Sequence, residues 1–153
     1  MDTKHSIKRQ KPRLALFLIV MALLALAVSC RETVPLAPEE PKVVLTSPGN
    51  NSTLSAGDIV VRIYLQNFEM NSNFGLPNTP NRGHVIYYMD TTAPLAQGTA
   101  ATAAPGSFAV SVETEYTWNN VAAGEHVFSV QLVNNDNTPL LPPVAVRVNV
   151  TVR

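Results

Sequence analysis

The sequence predicts an all-β domain, an antiparallel sandwich of about seven strands, set behind an export leader and a linker. Three observations lead there. Valine, threonine, asparagine and proline are plentiful while aromatic residues make up only 7% of the 153 positions, a composition suited to short strands joined by turns. Several stretches after residue 41 alternate apolar and polar side chains with period two, and nothing after Cys30 carries a helical period. Clusters of Gly, Pro and Asn separate those stretches at turn spacing.

The first thirty residues set the address. Lys4, Lys8, Arg9, Lys11 and Arg13 form a basic patch, and Leu14 to Val28 is an uncharged apolar run. A bilayer crossing needs roughly 20 apolar residues, so this shorter run suits the core of a secretory signal. Ala27, Val28 and Ser29 before Cys30 resemble a bacterial lipobox, whose peptidase cuts just ahead of a cysteine already joined to diacylglycerol. Residues 1–29 are therefore expected to be a lipoprotein signal peptide and Cys30 the lipidated residue. Two alternatives remain: ordinary cleavage nearby that leaves the thiol free, and an uncut leader that stays in the membrane. The single cysteine of the chain fits an anchor better than a disulfide framework, since it has no intramolecular partner. Two acyl chains suffice for stable membrane attachment, which places the domain at the cell membrane or outer membrane, facing the periplasm or the exterior.

Charge narrows the function classes. The whole chain has 11 basic and 11 acidic residues, but five of the basic ones and Asp2 fall in the leader, leaving six basic and ten acidic residues after it. A net charge near −4 is the wrong sign for nucleic acid. About 120 residues follow the leader, enough for one small core.

Residues 30–41 combine the expected lipid site with a Pro- and Glu-rich spacer. The domain is expected over 42–153. Its first strand is Lys42–Ser47, closed by Pro48-Gly49-Asn50-Asn51. Asp58–Asn67 follows, with Ile59, Val61, Ile63 and Leu65 on one face and Val60, Arg62, Tyr64 and Gln66 on the other. Asn67–Arg82, with five asparagines, is a long loop of the kind that carries function or stays loosely ordered. Gly83–Asp90 is the next strand, and the Ala/Thr/Pro-rich Thr91–Gly106 is expected to cross between strands with little packing. Ser107–Trp118 alternates throughout and is expected as one strand. Glu125–Asn134 aligns His126, Phe128, Val130 and Leu132; Asn134–Pro143 is a second loop; and Val144–Val152 places a valine at every second position.

Two stretches carry a closer resemblance. Gly83-His84-Val85-Ile86-Tyr87-Tyr88-Met89-Asp90 and Asn134-Asn135-Asp136-Asn137-Thr138-Pro139-Leu140 resemble a small exported immunoglobulin-like domain, of uncharacterised function, carried by bacterial and archaeal envelope lipoproteins. The resemblance covers most of Val43–Val152 and implies an immunoglobulin-like sandwich. The family's histidine-rich pattern implies a metal or polar site at one end. Here Ile86 and Asn137 stand at two of its histidine positions, which leaves His84, with Asp136 as an oxygen ligand, for copper, zinc or calcium. Zinc and copper sites ordinarily take three or four protein ligands, and Asn134–Asn137 offers calcium hard oxygens but one charge.

No Gly-x-Ser-x-Gly, no cysteine beyond the anchor and no phosphate-cradling glycine loop is present, so no residue is assigned a catalytic role and hydrolysis ranks behind metal binding. The expected binding cluster is Phe74, Leu76, His84, Asn135, Asp136 and Leu140, on loops that an immunoglobulin-like order gathers at one end. In the same order His126 falls at the opposite end. The expected role is non-catalytic: binding an envelope protein or glycan, or serving as a tethered spacer, with no cofactor assigned.

Overall fold

The computed structural model describes residues 39–153; the leader, Cys30 and the linker as far as residue 38 lie outside the described residues. Along the chain run β1 (Lys42–Ser47), β2 (Ser52–Leu54), β3 (Gly57–Gln66), β4 (Glu69–Met70), β5 (Arg82–Met89), β6 (Phe108–Ser111), β7 (Glu115–Val121), β8 (Gly124–Val133) and β9 (Pro139–Val152). They form two sheets. The smaller has the order β1-β3-β7, and the larger runs β2-β9-β8-β5-β4 with β6 also paired to β5. β2 on β9 and β4 on β5 pair in parallel; the remaining ladders are antiparallel.

The period-two pattern becomes a shared core. Ile59, Val61 and Ile63 of β3 and Trp118 and Val121 of β7 face Val85 and Tyr87 of β5, Phe128, Val130 and Leu132 of β8, and Val148, Val150 and Val152 of β9. Each fully buried side chain of this size contributes roughly 1.5–3 kcal/mol. The opposite faces of β3 and β9 stay open, with Arg62, Tyr64, Ala145, Arg147 and Asn149 exposed.

The architecture is all-β, as expected, yet richer than seven strands. Nine strands occur among the described residues, and the larger sheet curls into a half-barrel. The expected single strand Ser107–Trp118 is two: β6 lies on β5 in the larger sheet, while β7 pairs with β3 in the smaller. The chain changes sheets at Val112–Thr114, where the Ser111 hydroxyl accepts the Glu113 N–H at 3.0 Å. Phe108 and Val110 thus lie away from the core that Tyr116 and Trp118 enter, and Val110 is exposed.

A second correction concerns Thr91–Gly106. This segment packs over the outer face of β5, where Ala93 and Ala101 close on Ile86, Tyr88 and Val133. The side chains of Gln131 and Gln97 donate to the carbonyls of Pro94 and Leu140, and the Tyr88 hydroxyl donates to the Ala101 carbonyl. Alanines suit this contact because their small side chains let the backbone come down close to the sheet. Both faces of β5 are buried in consequence, and burial pushes Tyr87 and Tyr88 well above the ordinary tyrosine range. Tyr64, exposed on β3, and Tyr88, buried on β5, lie in different sheets and share no surface.

A third correction shortens Asn134–Pro143. Only 134–138 form the turn, closed by the Asn134 N–H on the Thr138 carbonyl at 2.9 Å, and β9 begins at Pro139. Leu132 pairs with Val144 and Val133 with Pro139, so Leu140–Pro143 bulge from the ladder. Prolines suit such a bulge because they have no N–H to offer a sheet.

Asparagine's tolerance of left-handed backbone explains much of its abundance. Asn51, Asn67, Asn81, Asn120 and Asn137 all have φ between 55° and 64°. At the start of the unit Lys42 pairs with Gln66, and the Asn67 side chain donates to the Glu40 carbonyl at 3.2 Å.

Candidate functional site

The β4–β5 connection and the β8–β9 turn meet at one end of the molecule. Their meeting is set by Gly83, where a β-carbon would collide with the Val133 carbonyl; only glycine lets β5 start this close to the β8 terminus. The two loops are then latched by amides. The Gly75 N–H donates to the Asn135 carbonyl at 2.7 Å, and the Asn135 side chain donates to the Pro77 carbonyl at 2.8 Å. The Asn78 side chain donates to Asp136 Oδ2 at 2.9 Å and accepts the Asp136 N–H at 3.3 Å. A third segment joins them through the Ala101 N–H, 2.7 Å from the Asn137 carbonyl.

His84 is the buried centre of this cluster. Its Nε2 lies 2.8 Å from Asn137 Oδ1, an acceptor, so Nε2 carries the proton and Nδ1 a lone pair. Phe74 covers the imidazole with ring centroids 4.7 Å apart. Burial lowers the His84 pKa, outweighing the Asn137 hydrogen bond and the negative charge of Asp136, so the ring is neutral near pH 7. At Asp136 the pKa is lowered as well, but there hydrogen bonding outweighs burial. Hydrogen bonds from the Thr138 hydroxyl and N–H and from Asn78 overcome its partial desolvation and hold its pKa below the ordinary carboxylate value.

Of the six residues the sequence selects, five belong to the latch or its surface. Asn135 is buried inside it, Asp136 spans it, and Phe74 and Leu76 remain 48% and 55% exposed on its rim. Leu140 instead packs into the main core, leaving its neighbour Leu141 in solvent. The expected cluster leaves out Asn78 and Asn137, the latter noted only as a replaced histidine and within the Asn134–Asn137 calcium option, although the asparagine density of both loops was the signal that amides would join them. Nδ1 of His84 and Oδ1 of Asn135 are buried with no hydrogen-bond partner among the described residues.

As metal ligands, His84 and Asp136 supply one imidazole and one carboxylate, and both oxygens of the latter already accept hydrogen bonds. Among the described residues no three His, Cys, Asp or Glu side chains come together. His126 pairs with Val150 while His84 pairs with Val133, so the two imidazoles sit at opposite ends of the ladder.

No family model matches the chain and no curated protein is similar to it. Among solved structures, the crystal structure of an engineered protein aligns with 76% of this chain at 14% identity and a TM-score of 0.42, and this chain spans about a fifth, 21%, of that protein.

Proposed function

We propose that this chain is an exported envelope lipoprotein, anchored through Cys30, whose immunoglobulin-like β-domain serves a non-catalytic binding role. The contact surface is the latched loop end, and the partner is an envelope protein or a glycan. The observation that carries this reading is the pair Phe74 and Leu76, exposed yet mounted on a loop fixed by four amide hydrogen bonds. A surface ordered before binding avoids much of the entropy cost of ordering a loop on contact. Apolar groups beside amides on a rigid β scaffold can grip either a protein or a sugar face.

The test is cross-linking and affinity capture from native envelopes, alongside glycan-array binding, with the parent chain and a Phe74→Ala/Leu76→Ala variant. Leu76→Ala is expected to change stability by no more than about 0.5 kcal/mol, whereas Phe74→Ala also uncovers the His84 ring, so retained folding of the variant is checked by circular dichroism before binding is compared. A specific partner recovered by the parent and lost by the variant supports the reading. Equal recovery by both overturns it. In parallel, Cys30→Ser is expected to move the protein from the membrane fraction to the soluble one.

A further inference from the structure

A second concave surface lies away from the latched loops, on the outer face of the larger sheet. The chain leaves β5 at Asp90 and climbs over β8, and beneath the climbing segment is a groove of about 430 Å³ against β8 and β9. That volume falls in the range of small-ligand sites. Its floor and overhang are apolar, from Val127 on β8, Ala145 on β9, and Ala93 and Leu95 above.

The two ends of the groove carry opposite charge. Glu125 lies opposite Thr151 in the β8–β9 ladder, and Arg147 lies opposite Ser129. Four ladder positions separate them, about 13 Å at ~3.3 Å per residue. Arg147 has no carboxylate partner among the described residues. Glu125 commits one oxygen to the Thr151 hydroxyl, leaving the other to face a ligand. Asp90 also lines the groove, but both its oxygens are taken, by His126 and by the Val127 N–H. The hydroxyl-bearing side chains of Thr91 and Ser129 also line the groove, Ser129 at its Arg147 end.

Such a surface complements a molecule with an apolar body and opposite charges at its two ends. A single amino acid is too short, because one residue spans at most ~3.6 Å. Three extended residues span about 10 Å, leaving a remainder of about 3 Å that the long, flexible Glu125 and Arg147 side chains can close. A peptide also brings backbone amides for the hydroxyls of the floor. The geometry points to this groove as a binding site for a short apolar peptide of about three residues with free termini, its carboxylate on Arg147 and its ammonium on Glu125. The assignment concerns a different surface from the loop end and stands whether or not that end binds a partner.

The test is titration of the full chain in detergent with Ala-Leu-Ala bearing free termini, followed by calorimetry and by amide shifts in a ¹⁵N spectrum. Saturable binding is expected, with shifts gathered at Val127, Ser129 and Ala145. Amidating the peptide's C-terminus is expected to weaken binding to the parent about tenfold, since a charge-assisted bidentate contact is lost. Arg147→Gln is expected to weaken the free peptide equally and to show no further loss with the amidated one. Absence of saturation at millimolar peptide overturns the proposal, as does equal affinity for the amidated and free peptides. The amidated peptide probes the unaltered protein, so that arm holds even if the variant folds poorly.

Discussion

The carboxylate of Asp90, at the exit of β5, lies 2.8 Å from Nδ1 of His126 on β8, and Nε2 of the same ring lies 2.9 Å from the Ala122 carbonyl. Both partners are acceptors, so satisfying both requires an imidazolium. Partial burial lowers the His126 pKa, but the hydrogen bonds to Asp90 and Ala122 and the charges of Asp90 and Glu125 outweigh it and hold it above the ordinary 6.5. A raised folded pKa contributes stability that is fully present below pH 6.5 and is lost as pH rises through the folded value. Denaturant unfolding across pH 5.5 to 8.5 is therefore expected to show this contribution fading on the alkaline side. Asp90→Asn is expected to cost more at the acidic end of that series than at the alkaline end.

His84 has the opposite sign. Its folded pKa lies below 6.5, so its contribution is present above pH 6.5 and is lost as pH falls toward the folded value. Stability of the parent is expected to drop on acidification below that point. In His84→Gln, which carries no such proton, the acid limb should flatten, and NMR titration of the parent's imidazole would show the lowered pKa directly.

Asn137 combines a left-handed backbone, φ 64°, with the side chain that accepts from His84. Asn137→Gly retains the backbone freedom and removes the acceptor, which is expected to cost about 1–3 kcal/mol by chemical denaturation. Asn137→Ala adds the left-handed penalty of about 1–2 kcal/mol to the same loss.

Gly83→Ala drives a methyl group into the Val133 carbonyl, where backbone and not a flexible side chain must yield. The expected loss is about 3 kcal/mol or more, enough to remove most folded protein from a small domain. Thermal unfolding and soluble yield would both report it.

Tyr88→Phe leaves the Ala101 carbonyl and Gln131 Oε1 without their hydroxyl neighbour beneath the 91–106 segment. A loss of about 1–3 kcal/mol is expected. Limited proteolysis should cut between residues 91 and 106 faster than in the parent, because loosened segments open locally.

Strands whose environment matched simple alternation were legible from residues alone. β3 buries Ile59, Val61 and Ile63 while exposing Arg62 and Tyr64, and β9 keeps its valines inward from Val144. Convergence of the Asn67–Arg82 and Asn134–Pro143 loops was legible too, because strand order alone brings them together. The sheet change at Val112–Thr114 was hidden: alternation continues straight through it, with neither Gly nor Pro to mark the break. Packing of 91–106 was hidden for a related reason, since alanines carry no periodic signal and fit by being small. β2 and β4 pair over three and two residues, which tertiary contacts decide and local pattern cannot.

The pairing of Lys42 with Gln66, and the hold of Asn67 on the Glu40 carbonyl, give the domain an orientation as well as a first strand. The chain enters beside the loops that bear Phe74 and Leu76, whereas the groove at Glu125 opens toward the other end. Residues 39–42 therefore open the domain at the same end as the latched loops, so whatever binds Phe74 and Leu76 works where the chain enters the fold, while the Glu125 end of the groove lies across the β8–β9 ladder from it.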